Sequence, residues 1–305
     1  MQKILVIGRQ GQLANECALT LSTLGQVMCA GRNDVDVTRP AQVRDLISSF
    51  KPHFIVNASA YTAVDKAESE PDAAKALNVD AVSMLAECSK QAAIPLIHYS
   101  TDYVFDGGGV QPWKEDDSPS PQGVYARTKL AGEQAIMASG CSYFIFRTAW
   151  VYGHFGANFY KTMRRLARER EELRIVSDQM GSPTWSFMIA SATAQIIAQG
   201  IYAAAETHLQ GHEFFRERSG LYHLTAAGAC SWYDFAREIV ATDPRSDLHR
   251  CRTVTPISTA EYPTPAKRPA YSVLDSGKCL STFGVRLPDW KEQLAMVQNQ
   301  VRLLS

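Results

Sequence analysis

The chain has no Cys-x-x-Cys pair, no block of like charge and no apolar run long enough to cross a membrane. Its seven cysteines are scattered and odd in number, without histidines at finger spacing, so neither a disulfide framework nor a zinc finger is expected. Lys plus Arg (31) equals Asp plus Glu (31), which leaves no basic track for nucleic acid and no patch for an anionic membrane. Met1 leads straight into Ile4-Leu5-Val6-Ile7-Gly8, without a basic leader, apolar core and cleavage site in order. A cytoplasmic protein is the expectation. Internal repeats and low-complexity tracts are also missing.

What remains is an ordinary globular chain of 305 residues, 46% apolar and 20% charged, enough for a large buried core. Short apolar runs alternate with longer amphipathic ones. Ile4 to Ile7, Val27 to Ala30, Phe54 to Asn57, Leu96 to Tyr99 and Tyr143 to Arg147 suit strands buried on both faces. Asn15 to Leu24, Ala41 to Phe50, Pro71 to Gln91 and Tyr125 to Ala138 suit the helices between them. This alternation predicts an α/β fold: a Rossmann-type, doubly wound parallel sheet with right-handed crossovers, over residues 1–150.

After Trp150 the rhythm changes. Asn158 to Arg170 reads as a basic helix, Arg174 to Ser177 as a strand and Phe187 to Gln199 as a helix returning to the sheet. Gly211 to Arg218 reads as a polar loop, Gly220 to Leu224 as a strand and Ser231 to Ala241 as a helix. Prolines bar regular helix from Pro256 to Pro269. A smaller C-terminal α/β substrate-binding lobe is therefore expected from 151–186 and 215–305, with 187–214 linking back to the first domain.

Gly8-Arg9-Gln10-Gly11-Gln12-Leu13-Ala14 follows the first strand and enters the first helix. Small residues are needed where backbone must approach a pyrophosphate held by helix N–H groups. At the end of the second strand stands Gly31-Arg32-Asn33, with no carboxylate for a ribose diol and with a guanidinium suited to a 2′-phosphate. NADPH is preferred over NADH on that ground, although Asp34 or Asp36 stands within reach of a ribose. Asn57-Ala58-Ser59-Ala60-Tyr61 ends a central strand with side chains small enough for close approach of a flat cofactor.

Two further segments carry chemistry. Thr101 and Asp102 end a buried strand on the side where open α/β sheets bind ligands. In Gly123-Val124-Tyr125-Ala126-Arg127-Thr128-Lys129, helical spacing puts Tyr125 and Lys129 on one face, one turn apart. Thr101 would hydrogen-bond a substrate carbonyl oxygen, and Tyr125 would protonate it as hydride arrives. Lys129 would draw the phenol from its ordinary pKa of about 10 towards working pH and hold the nicotinamide ribose.

The chain resembles the extended short-chain dehydrogenase/reductase superfamily and, within it, the dTDP-4-dehydrorhamnose reductase family. Besides the glycine turn and Tyr125-x-x-x-Lys129, the resemblance runs through Val56 to Glu68, His98 to Gly107 and Phe146 to Tyr152. Ser177 to Thr184 and Pro263 to Pro269 extend it. It implies catalysis by Thr101, Tyr125 and Lys129. It also implies a cofactor on Gly8, Arg9, Gln10, Gly11, Gln12 and Leu13, near Asp36 and Val37, and along Ala58, Ser59, Ala60, Tyr61 and Thr62. A dTDP-sugar is implied near Val64, Thr101, Asp102, Tyr125 and Trp150, with Asn158, Gln179, Gly181, Pro183, Thr184 and Arg268 closing around it. Arg268 suits its phosphates and Trp150 the apolar side of a deoxysugar. The implied reaction is reduction of the 4-keto group of dTDP-4-dehydro-6-deoxy-L-mannose.

Two departures from the family qualify this. Some members bind magnesium at a dimer interface through two glutamates. Glu16 matches one, but Phe187 stands at the other position and a phenyl ring offers no oxygen ligand, so no metal is expected and the chain is a monomer or a homodimer. Gly31 replaces an acidic residue that relatives can carry. A sugar-nucleotide epimerase or dehydratase, or a non-catalytic NADP-binding regulatory subunit, would share the turn and the Tyr-Lys pair. Tyr103 after Asp102 leaves out the acidic pair expected of a dehydratase.

Overall fold

A computed structural model of the chain describes residues 1–207 and 212–303. Five strands, β1 (Gln2–Ile7), β2 (Gly25–Ala30), β3 (Phe54–Asn57), β4 (Leu96–Thr101) and β5 (Tyr143–Thr148), match the five apolar runs. All pair in parallel, and with an edge strand at Gly220–His223 they form a six-stranded sheet in the order 2-1-3-4-5 followed by that edge strand. The order reverses between β1 and β3, which opens a crevice at their carboxyl ends.

The inner strands are largely apolar because both faces are covered, whereas the edge strand β2 is only partly buried. Along β1, Ile4 and Val6 enter one core with Leu13, Cys17, Ile189 and Ile196, whereas Leu5 and Ile7 enter another with Val43, Ile47, Val82 and Leu85. Period-two alternation thus divides one strand between two hydrophobic layers. A third core, with Tyr152, Tyr160, Leu173, Trp185, Phe235, Ile239 and Trp290, underlies the second lobe. There helix Trp232–Thr242 starts on a capping box between Ser231 and Asp234. No helix among the described residues is long and apolar enough to cross a membrane, and their cysteines are all free.

Several boundaries differ from the sequence expectation. Residues His212–Glu217 of the expected loop 211–218 form a helix, because Phe215 is buried with ring centroids 5.1 Å from Phe54 and 5.5 Å from Phe144; Gly211 lies outside the described residues. Gly220–His223, expected in the second lobe, extends the main sheet by pairing with β5. Cys279, Phe283, Val285 and Leu287, also assigned to that lobe, pack under the same sheet. The returning helix runs Ser186–Thr207, longer than expected. The expected helix 71–91 is broken by a π turn at Ala76–Asp80 between Pro71–Lys75 and Ala81–Ala92. That turn carries the fully buried Asn78.

Candidate active site

The glycine turn crosses the end of β3 at close range. Gly8 has φ +114°, and a Cβ there would meet the Ala58 carbonyl carbon and oxygen at 2.8 Å and Ser59 N at 2.9 Å. Only glycine fits that left-handed, crowded position. Gly11 follows as the cap of helix Gln12–Thr20, whose first N–H groups lack intrahelical partners. The turn walls a cleft of about 800 Å³ lined by Gly8, Gln10, Gly11, Arg32, Asp36, Val37, Ala58, Ser59 and Ala60. Glycine crowding, helix N-terminus and cleft size together fit a dinucleotide.

Most of the expected cofactor residues therefore line one cavity. Gly31 joins them, and a side chain there would meet Gln10 at 2.5 Å and Arg9 Cβ at 2.9 Å. Arg32 is exposed on the wall. Arg9 instead turns outward, 3.7 Å from Asp34, and Leu13 is buried in the core. Asp36 accepts from the Thr38 hydroxyl at 2.7 Å, which holds its carboxyl below the usual range.

Asn78 anchors the segment after Ala60, a role with no motif behind it. Its Oδ1 accepts from Tyr61 N–H at 2.9 Å, and its Nδ2 donates to Tyr61 O and to Thr128 Oγ1, both at 3.1 Å. The cofactor-side loop is thus tied to the helix that carries Tyr125. That helix, Val124–Ser139, lies so close that a Cβ on Gly132 would overlap the Asn78 carbonyl oxygen.

Tyr125 and Lys129 occupy this helix one turn apart, as their spacing requires. Thr101 ends β4 and is buried; its hydroxyl is 3.1 Å from Asp102 Oδ1 and accepts from Tyr103 N–H at 3.2 Å. Burial raises the Tyr125 pKa, with a hydrogen bond to Thr101 opposing it and Asp102 and Tyr103 adding to it. This corrects the expected downward shift. Lys129 is itself buried, which lowers its pKa to about 8, with Glu133 opposing the shift. Its Nζ donates to Tyr99 O at 2.7 Å and lies 3.2 Å from His98 Nε2. Asp102 rises to about 7, chiefly through burial, and its Oδ2 has no hydrogen-bond partner.

On the second-lobe side the expected residues divide. Val64 and Tyr125 share a small pocket with Tyr103, Gly123 and Lys267. Gln179 and Arg268 line a neighbouring cavity of about 420 Å³ with Phe159, Trp232 and Tyr262. Trp150, at φ +46°, stacks on Trp232 with ring centroids 3.5 Å apart. Gly181 is required beneath it, since a Cβ would collide with the Trp150 ring. Arg268 donates to Asp65 at 2.7 Å and to Tyr103 OH at 3.3 Å.

Three of the expected substrate-side residues also make packing and hydrogen-bond contacts within the fold. Thr184 is fully buried, donating to Ser182 O at 2.9 Å and accepting from Ala226 N–H at 3.1 Å. Pro183 beside it is buried. Asn158 caps helix Phe159–Glu169 through Lys161 N–H and donates to Gln12 Oε1 at 2.8 Å, so it links the lobe to the glycine turn. Phe187 packs on Trp185, ring centroids 4.9 Å apart, while buried Glu16 faces Ser186 at 3.4 Å.

Comparison with known proteins follows the same lines. The family model described as RmlD substrate binding domain matches residues 1–303. A dTDP-4-dehydrorhamnose reductase of Burkholderia thailandensis is 44% identical over 292 residues, covering 95% of each chain. The enzyme of that name from Escherichia coli is 38% identical over 303 residues, covering 98% of this chain and 97% of its own. Among solved structures, dTDP-4-dehydrorhamnose reductase from Bacillus anthracis in complex with NADP superposes with a TM-score of 0.84 at 32% identity, covering 98% of this chain and 99% of that one.

Proposed function

The chain belongs to the RmlD substrate binding domain family, and from that premise we propose that it reduces the 4-keto group of dTDP-4-dehydro-6-deoxy-L-mannose to dTDP-L-rhamnose. Relatives bearing the reductase name align with nearly its whole length. The observation that supports the reading most is the placing of Tyr125 and Lys129 one turn apart on the helix Val124–Ser139, which Asn78 ties to the cofactor-side loop at Tyr61. Tyr125 lines a small pocket with Val64, Tyr103 and Lys267, and the fold offers a dinucleotide-sized cleft at the glycine turn and an aromatic-walled pocket with Gln179 and Arg268.

In the proposed site the glycine turn, Arg32 and Ala58 to Thr62 hold NADPH or NADH, which supplies hydride when bound. Thr101 donates its hydroxyl hydrogen to the ketone oxygen and fixes its position. Tyr125, kept protonated by burial, delivers a proton to that oxygen as negative charge develops there. Lys129 supports the cofactor-side ribose and the phenol. Trp150, Gln179 and Arg268 border the sugar nucleotide, and Arg268 exchanges part of its Asp65 contact for a phosphate. Arg32 favours the 2′-phosphate of NADPH, because a guanidinium matches phosphate oxygens and Gly31 leaves no carboxylate there. The setting is cytoplasmic, with a small diffusible substrate rather than nucleic acid, and the chain acts as a monomer or homodimer.

Supplying the enzymatically generated keto sugar with each reduced cofactor tests this directly. Cofactor oxidation coupled to dTDP-L-rhamnose, faster with NADPH, is expected. Conversion of the sugar without cofactor oxidation would replace reduction by epimerisation, and a clear NADH preference would overturn the Arg32 assignment.

A further inference from the structure

The helix that carries Tyr125 has no cap of its own. Val124–Ser139 starts after Gly123, which has no side chain, and its first turn holds no acidic residue. The N–H groups of a first turn have no acceptor inside the helix, so any partner must come from elsewhere. One comes from 56 residues away: Glu68, at the end of the short helix Val64–Ala67, accepts from Val124 N–H through Oε1 at 2.7 Å. The bond falls on the residue next to Tyr125. A carboxylate also suits the positive end of a helix.

Gly123 makes room for this contact. Its backbone is extended, at φ −119° and ψ 171°, a conformation open to any residue. The demand for glycine is one of space, since a Cβ there would meet Glu68 Oε1 at 2.8 Å. The segment that delivers Glu68 is anchored in turn: Asp65, on the same short helix, accepts from Arg268 at 2.7 Å and from Ala266 N–H at 3.3 Å. We propose that Glu68 is a positioning residue, a cap supplied from outside the helix that fixes the first turn of Val124–Ser139 and with it the Tyr125 phenol. That the phenol is the proton donor rests on the reduction reading above.

Loosening that turn is enough to matter, because a reacting group misplaced by about 1 Å costs about a hundredfold in rate. The effect should fall on turnover and spare the cofactor. Lys129, one turn further on, is held separately by Tyr99 O at 2.7 Å. Glu68 and Gly123 also lie outside the lining of the cleft at the glycine turn.

The test compares Glu68→Ala, Glu68→Gln and Gly123→Ala with the wild type, all as full-length protein. Amide hydrogen exchange of the ligand-free wild type should show Val124 N–H protected, and Glu68→Ala should speed its exchange about fivefold or more. With the keto sugar, Glu68→Ala and Gly123→Ala should each lower kcat about tenfold or more while NADPH affinity stays within about twofold. Glu68→Gln keeps an accepting oxygen and should restore most of both readouts. The two alanine changes together should cost no more than either alone, since both break one contact. A wild-type Val124 that exchanges freely would overturn the proposal, even if Glu68→Ala fails to fold. So would a Glu68→Gln protein as slow as Gly123→Ala, or a loss shared equally by kcat and cofactor affinity. Exchange is read without substrate, so absence of the cap contact is told apart from failure of the reductase reading, in which the wild type itself leaves the sugar unreduced.

Discussion

Tyr125, Asp102 and Lys129 lie at the meeting of β4 with the helix Val124–Ser139, and burial moves each towards its uncharged form. The consequence for stability is sharpest at Asp102. Its folded pKa of about 7 lies above the usual 3.8, so the fold binds that proton more tightly than the unfolded chain does. Stability from this carboxyl is complete below the unfolded value and is lost as pH rises through about 7. Asp102→Asn cannot ionise. Thermal melts should show the variant gaining on the wild type as pH rises from about 4 to about 7, with the difference level above that; a difference independent of pH would mean that the Asp102 pKa is not raised in the fold. The sequence made Thr101, Tyr125 and Lys129 legible through motif and spacing. It did not reveal the direction of the Tyr125 shift, because that depends on how much water the surrounding fold removes.

At the scale of elements, the site depends on how a loop is tied to a helix. Asn78 in the π turn Ala76–Asp80 holds Tyr61 from both sides and reaches Thr128. Asn78→Ala removes both hydrogen bonds to the partly buried backbone of Tyr61, a loss of about 1 kcal/mol. Chemical denaturation should register that loss together with weaker cofactor binding. Unchanged cofactor affinity would show that the loop position does not depend on this tie. The five main strands were legible because buried parallel strands read as apolar runs. Asn78 was not, since an asparagine within an amphipathic stretch looks like a solvent-facing residue until the π turn rotates it inward. His212–Glu217 was missed for a related reason: Phe215 helps hold it through contacts with Phe54 and Phe144, distant in sequence.

Over the whole molecule, several polar ties join the cofactor side to the second lobe, and two of them involve side chains of the candidate site. Asn158 donates to Gln12 at 2.8 Å, and Arg268 donates to Asp65 at 2.7 Å. The Asp65 side chain is 40% exposed, so the second tie is solvent-screened and suited to exchange with a ligand phosphate. Asp65→Asn should change KM for the sugar nucleotide by about threefold to tenfold, leaving cofactor affinity unchanged. Equal effects on both ligands would place the tie in overall folding instead. The sequence indicated a second lobe correctly but drew its edge in the wrong place. Gly220–His223 joins the main sheet through pairing with β5, and local sequence does not specify which distant strand a short apolar segment will meet.

The most direct test of the proton-donor assignment is steady-state turnover of Tyr125→Phe with the keto sugar nucleotide, measured beside cofactor binding. Removing only the hydroxyl should lower kcat by about two to four orders of magnitude while the cofactor still binds. Turnover close to wild type would contradict the assignment.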